Sequence, residues 1–345
     1  MATADITVRG AGIFGLSIAW ACVRRGAAVQ VVDPHGPASG ASGGIVGALA
    51  PHVPENWNAK KQFQLESLLM AEAFWSEVAE AGRQCAGYTR SGRVQPLADA
   101  HAIDLARGRS AGAAALWHGQ ATWHVRPAGD NGWRLASASG FEVFDTLSAH
   151  IHPQQACAAL VAALDAHGVQ VTADAPDQGL TLHATGVAGL AALNATHTRL
   201  VGAGIKGQAA LLDHAAPGAP QLFVDGLHII PHADSTTAIG STTEREYDDA
   251  TGTDARLDAV IERARTHVPA LRDAPVLARW AGLRPRSRSR APMLGAWPDR
   301  PGHFIANGGF KIGFGMAPKV AEVMADLMLE ERDAIPPGFE VAASR

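Results

Sequence analysis

Apolar and polar positions follow two rhythms along the chain. Near the start, Ile6 and Val8, then Val29 and Val31, lie two apart in short runs, the period of a strand. Between these runs, 11–23 is apolar over a helical length, and Gly26 closes it. The pattern predicts a strand, a glycine turn, a helix and a second strand that ends at Asp33. Over 61–80, Phe63, Leu65, Leu68, Leu69, Ala73, Phe74 and Val78 recur at helical spacing, so a helix is expected. Residues 85–147 read as short strands and turns, with Trp117, Trp123, Trp133, Phe141 and Phe144 in loose order. His152-Pro153 opens a helix to about His167, followed by a strand at 169–172. A buried strand at 180–186 ends in a glycine turn. A long strand is expected at 201–212, with antiparallel strands at 227–231 and 237–241. An amphipathic helix at 254–267 stops at Val268-Pro269, and strands follow at 276–283 and 302–307. A glycine loop at 308–315 leads into a last helix at 316–330.

Strand–helix units therefore open the chain, lapse, and return. This implies an α/β nucleotide-binding domain in three pieces, 1–56, 146–205 and 276–345. A second domain, largely antiparallel, fills 57–145 and 206–275. The length of 345 residues agrees with two domains.

The first unit carries chemistry. Gly10 permits a tight turn, Gly12 admits a pyrophosphate close to the backbone, and Gly15 lets helix and strand pack closely. The helix start then offers unpaired N–H groups and a positive dipole end to phosphate. Asp33 lies 23 residues after Gly10, where a carboxylate can accept ribose hydroxyls and oppose a 2′-phosphate. A tight turn in a purely structural unit is the bland alternative. The stretch 36–47 is rich in small residues, which suits an ordered loop beside something flat; a flexible linker is the other reading.

Composition adds limits. The 37 glycines are enriched, and the net charge of −4 provides no global field for nucleic acid. Only 284–290, with Arg284, Arg286, Arg288 and Arg290, is locally basic. Cys22, Cys85 and Cys157 form neither a metal spacing nor a disulfide framework, so no metal is expected. Cys22 and Cys157 should be buried in helices. The first motif begins at residue 5, which argues against a signal peptide, and the 11–23 run is too short to span a bilayer. A cytoplasmic protein is expected.

These motifs and their order resemble the D-amino-acid oxidase superfamily of FAD-dependent oxidoreductases, nearest to glycine oxidase and sarcosine-oxidising relatives. The residues that carry the resemblance run from the first turn and Asp33 through Ala38-Ser39-Gly40-Ala41-Ser42-Gly43-Gly44-Ile45, Ala184-Thr185-Gly186 and Ile205-Lys206-Gly207-Gln208. They continue to Ile239-Gly240-Ser241-Thr242, Trp280-Ala281-Gly282-Leu283-Arg284-Pro285 and Gly308-Gly309-Phe310-Lys311-Ile312-Gly313. The resemblance implies a Rossmann-like FAD domain with an antiparallel-sheet substrate domain, of the D-amino-acid oxidase type.

It also implies roles. Gly10, Gly12, Ile13, Phe14 and Gly15 would face the FAD pyrophosphate, and Asp33 and Pro34 the adenosine ribose. Ala38, Ser39, Ser42, Gly43, Gly44 and Ile45 would line the path to the flavin ring, with Thr185 and Gly186 nearby and Ala175 near adenine. Gly309, Phe310, Lys311, Ile312, Gly313, Phe314 and Gly315 would wrap the pyrimidine edge; a mere helix-entry turn is the alternative. Arg284 would clamp a substrate carboxylate beside the flavin, its neighbouring arginines being surface ion pairs or facing an acidic partner. Lys311 replaces a family arginine, Thr243 matches a wall position, and His228 stands where glycine oxidases have tyrosine. No cysteine occurs at 283–290, so the FAD would be non-covalent.

The implied activity is oxidation of a small amine or amino acid by hydride transfer to flavin, giving an imine. It rests on positioning, without a nominated acid or base, and uses oxygen or another electron acceptor. Three alternatives stay open: an FAD-dependent oxidase of a modified tRNA uridine, a flavin-binding protein without turnover, and an NAD-dependent dehydrogenase.

Overall fold

The computed structural model describes residues 3–130 and 132–344. The chain opens as expected, with β1 (Ile6–Arg9), α1 (Ile13–Arg24) and β2 (Val29–Val32). Then come β3 (Ala48–Leu49), α2 (Ala59–Gly82), β4 (Arg93–Pro96), α3 (Ala100–Leu116), β5 (Trp123–Pro127) and β6 (Phe141–Asp145). Next are β7 (Ala149–His150), α4 (Pro153–Ala166), β8 (Val171–Thr172), β9 (Leu180–His183), α5 (Gly186–Asn194), β10 (Gly202–Leu212), β11 (Gln221–Val224), β12 (Leu227–Pro231) and β13 (Thr237–Gly240). The chain closes with α6 (Ala255–His267), β14 (Val276–Ser287), β15 (Met293–Ala296), β16 (His303–Asn307) and α7 (Gly313–Glu330).

Several expectations need correction. The region 85–147 contains the 17-residue helix α3, where only short strands and turns were expected. Its sequence shows no apolar stripe, and of its residues only Ala106 and Ala113 are buried. Alanine content and the Asp99 cap, which accepts the Ala102 N–H at 2.8 Å, drive it instead. The helix α5 and the strands β11 and β15 were also unforeseen. β14 runs on to Ser287, past the expected end at 283. The last helix begins at Gly313, so Gly313, Phe314 and Gly315 are helical rather than loop.

A six-stranded sheet has the order β15-β16-β9-β1-β2-β8. It is parallel except for the β15–β16 hairpin. Helices α1, α2, α4 and α7 pack with it around one core containing Leu16, Trp20, Leu68, Leu160 and Met324. An eight-stranded sheet has the order β14-β10-β13-β12-β11-β4-β6-β5. Its register separates two faces. Ala210, Leu212, Leu222, Leu227, Ile229 and Ile239 pack under α6 in a second core. The other face carries Arg284 beside Ile205, Trp280 beside Ala209, His228 beside Gly240, and Phe223 beside His228. None of the helices in the described residues is long and apolar enough to cross a membrane.

A buried ion pair lies on that second face. Arg93 Nε meets Asp145 Oδ2 at 3.1 Å, both nearly inaccessible, and the guanidinium lies 5.5 Å from the Phe223 ring centre. Breaking a buried pair by removing one charge leaves the other uncompensated. Asp145→Asn should therefore lower stability by about 3–5 kcal/mol, read as an earlier urea midpoint in tryptophan fluorescence. An unchanged midpoint would refute this.

Candidate dinucleotide groove and substrate face

The β1–α1 turn is built by close approach. A Cβ at Gly10 would overlap the Ala184 carbonyl, which sets the second glycine turn, Ala184-Thr185-Gly186, against the first. A Cβ at Gly15 would overlap the Gly10 carbonyl. At Gly12 it would stand 3.1 Å from Ser42 Oγ, which accepts the Ile13 N–H at 2.9 Å. Asp33 ends β2 as expected: Oδ2 accepts the Ala11 N–H at 2.8 Å and Oδ1 the His35 N–H at 3.0 Å. Pro34 beside it is exposed. Ala175 lies further along the same edge, its carbonyl accepting from Arg9 Nη2 at 3.1 Å.

Helix capping separates two groups. Asn58, Asp99, His152 and Asp254 cap α2, α3, α4 and α6 with their side chains. Among the described residues the N-cap residues of α1, α5 and α7 make no side-chain cap of their own, and at α1 only the Ile13 N–H is taken, by Ser42 from the following loop. Those starts adjoin one another: a Cβ at Gly309 would lie 2.9 Å from the Phe14 ring, and one at Gly313 3.7 Å from Ile13. Asn307, just before the loop, donates to the Gly186 carbonyl at 2.8 Å. The side chains of Ile13 and Phe14 are thus inside the core, and their contribution to a phosphate is through backbone. Uncapped N–H groups beside side-chain-free glycines are what a pyrophosphate requires. On this observation the residues fit a dinucleotide.

The path continues along 36–46. Ala38 lies in the left-handed region (φ 57), and its N–H donates to the Ala11 carbonyl at 2.9 Å. A cavity of about 370 Å³ is lined by Ala38, Ser39, Gly43, Gln154, Cys157 and Trp280, among others. Gly44 packs against the Trp280 indole, and Val46 Cγ2 would be 3.0 Å from a Cβ at Gly240. Gly44 and Ile45 are therefore pressed onto the open face of the eight-stranded sheet, and the path is ordered rather than a linker.

Arg284 projects from β14 over Gly207, where any Cβ would overlap the guanidinium. Its Nη1 donates to the Thr242 carbonyl at 3.2 Å. Burial pulls its pKa down to about 10, and Glu244 on the opposite face opposes this. Among the described residues Arg284 forms no ion pair. The glycine loop before α7 is pinned to the same strand: the Phe310 N–H donates to the Pro285 carbonyl at 3.0 Å, and Gly309 bridges to Arg286.

His228 shares this face. Its Nδ1 is buried without a partner, and its ring lies 4.6 Å from Phe223. Burial first, then Arg93, Lys311 and Arg284, lower its pKa to about 3, so it is neutral. Lys311 stands at the rim, and its Nζ donates to Thr243 Oγ1 at 2.7 Å. Desolvation and the Arg284 charge draw the ammonium down to about 8, although the side chain keeps solvent access. For the neighbouring arginines, the surface ion pairs expected as one alternative do not form. Among the described residues Arg286, Arg288 and Arg290 form no ion pairs, and Arg286 lies 5.5 Å from the Phe310 ring centre. Cys22 and Cys157 are buried, as expected, and Cys85 is exposed.

The expected residues thus form two groups. Asp33, Pro34 and Ala175 mark one end of the groove; Arg284, His228, Thr243 and Lys311 gather at the other. Gly207, Trp280, Phe223, Gln154 and Cys157 had no expected site role. Alternation along β10 and β14 places Gly207 beneath Arg284 only once their antiparallel register is known.

Known proteins share this architecture. The chain is 34% identical over 142 residues to "Glycine oxidase" of Pseudomonas aeruginosa, a match covering 41% of this chain and 39% of that protein. The matched segment is under half of that relative's length. The solved glycine oxidase from Geobacillus kaustophilus superposes with a TM-score of 0.82 at 20% identity, covering 98% of each chain. Iminodiacetate oxidase from Chelativorans superposes with a TM-score of 0.83 at 21% identity, over 96% of this chain and 97% of that one. The family described as "DAO: FAD dependent oxidoreductase" matches residues 5–327, nearly the whole chain. The protein therefore belongs to the DAO family of FAD-dependent oxidoreductases, and its cofactor is FAD.

Proposed function

We propose that this chain oxidises a small amine bearing a carboxylate, of the glycine, sarcosine or D-amino-acid kind, to an imine that water hydrolyses. One observation carries the reading: the Arg284 guanidinium lies deep on the sheet face opposite the flavin-side loop, with no carboxylate paired to it among the described residues. A planar fork of donors suits a substrate carboxylate. The residues offered for FAD run from Gly10, Gly12 and Asp33 through Ser42, Gly43 and Gly44 to the 309–315 segment. When bound, FAD supplies the two-electron acceptor.

The protein groups position. The β14 backbone sets the height of Arg284 above Gly207, and hence where the α-carbon comes to rest. Neutral His228 offers one hydrogen bond from its unpartnered ring nitrogen. Phe223, Trp280 and the glycines of β10 and β14 keep that face apolar and shallow. Asp145, the buried carboxylate on this face, is engaged by Arg93. The amine therefore sheds its proton before entry or to solvent. In this reading the six-stranded sheet and its helices hold the cofactor. The eight-stranded sheet, β14 included, is the substrate wall.

Lys311 extends the substrate class. It is a second positive group close enough to Arg284 for the guanidinium charge to lower its pKa. A second carboxylate or comparable anionic group on the substrate would balance both charges. The proposed substrates therefore include dicarboxylic amines alongside glycine-like ones.

Anaerobic mixing of the oxidised protein with amino acids, N-methyl amino acids and dicarboxylic amines tests the class. Bleaching of the flavin absorbance by at least one is expected, and an unchanged spectrum with all would refute the substrate class. Truncating one side of a buried charge pair costs about 2–5 kcal/mol. Arg284→Met should therefore raise KM about 30-fold or more with FAD still bound. Unaltered KM would remove Arg284 from the clamp.

A pH profile tests Lys311. The ammonium is lost as pH rises through about 8. The ratio of kcat/KM for a dicarboxylic over a monocarboxylic amine should fall across that value, and Lys311→Met should flatten the ratio. A ratio independent of pH in the unsubstituted protein would refute this role.

A further inference from the structure

We propose that His152, His232 and Asp234 form a binding site for a divalent transition-metal ion of the zinc class. One ligand atom from each lies within 4.8 Å of the others. His152 caps the start of α4, and His232 and Asp234 lie in the turn between β12 and β13. The site therefore joins a helix of the first core to a hairpin of the eight-stranded sheet.

His232 is already oriented as a ligand. It is 1% exposed, and its Nε2 is buried with no hydrogen-bond partner. Its Nδ1 lies 3.3 Å from Thr236 Oγ1, which donates its own hydrogen to Asp234 Oδ1 at 2.6 Å. The His232 proton therefore belongs on Nδ1, which leaves the buried, unpartnered Nε2 as the free acceptor. A histidine whose second nitrogen donates to a neighbouring oxygen has the tautomer that metal ligation needs. A buried, unsatisfied ring nitrogen calls for an explanation, and a bound ion supplies one.

Asp234 contributes Oδ2, which accepts from Gln155 Nε2 at 3.2 Å and stands 3.7 Å from His152 Nε2. The His152 and His232 rings are 4.5 Å apart, centre to centre. Neighbouring donors around tetrahedral zinc stand roughly 3.3 Å apart, so small side-chain rotations close the site. His152 must also release its capping contact, because an imidazole bound through Nε2 carries its proton on Nδ1. That contact, from the Gln155 N–H to Nδ1, is 3.4 Å, the longest side-chain cap among the described helices.

Two imidazoles and one carboxylate favour zinc, cobalt, nickel or iron over calcium and magnesium, which prefer oxygen. Three protein ligands leave a further position. His150, 1% exposed with both ring nitrogens unpartnered, lies near His232 beside it. The same start of α4 supplies Gln154, Cys157 and Ala158 to the cavity. The ion would tie that cavity wall to the strand that carries His228.

The test uses the FAD-loaded protein, stripped with chelator and titrated with Zn²⁺ in a calorimeter. One saturable equivalent is expected, weakened roughly tenfold or more in His232→Gln and in Asp234→Asn. Zn²⁺ should raise Tm for the unsubstituted protein and not for the variants, whose flavin spectra report their folding. No saturable equivalent, or one that both variants retain at equal affinity, would overturn the proposal. Should a variant fail to fold, Co²⁺ added to the unsubstituted protein decides. Visible ligand-field bands of a low-symmetry, four- or five-coordinate ion support the site, and the aqua-ion spectrum alone refutes it.

Discussion

A guanidinium held inside a protein without a carboxylate opposite it is the constraint on which this structure turns. Desolvating a charge is unfavourable unless something compensates. Here, among the described residues, the hydrogen-bond partner is one carbonyl, from Thr242. The space for Arg284 exists because residue 207 has no side chain. Its position is set because β10 and β14 pair along nearly their whole length, so that Arg284, on the edge strand β14, reaches inward over β10. In the proposed reading the partner that completes the charge balance is the substrate carboxylate.

The opposite wall follows a related rule. Among the described residues four helices are capped by their own N-cap side chains, while the N-cap residues of α1, α5 and α7 make no such cap and the three starts lie close together. Clustering uncapped helix starts concentrates partial positive charge and unsatisfied N–H groups. Glycines at 10, 12, 15 and 309 allow the approach, and a diphosphate both neutralises the charge and accepts the hydrogen bonds. In the proposed reading the protein thus has two electropositive regions with different targets, a backbone one for the cofactor and a side-chain one for the substrate.

Much of the cofactor half was legible in the sequence because its tasks are local. The roles of Gly10, Gly12, Gly15 and Asp33 are set within one strand–helix–strand unit, so spacing alone exposes them. The family match over 5–327 removes the nicotinamide alternative that this unit alone would have allowed. The substrate half was legible only in part. Arg284, His228, Lys311 and Thr243 were found through resemblance, but Gly207, Trp280 and Phe223 acquire meaning only from the strand order β14-β10-β13-β12-β11. Helix α3 escaped because capping and alanine propensity, rather than an apolar stripe, sustain it. The histidine cluster escaped for the same nonlocal reason, since a hairpin turn and a helix start, remote in sequence, meet there.

The bond from the Phe310 amide to the Pro285 carbonyl ties the 309–315 segment to the residue that follows Arg284. A displacement of β14 would therefore carry Arg284 and the 309–315 segment together. In the proposed reading, substitutions on the other strands could reshape the pocket walls without altering the spacing between these two parts of the site.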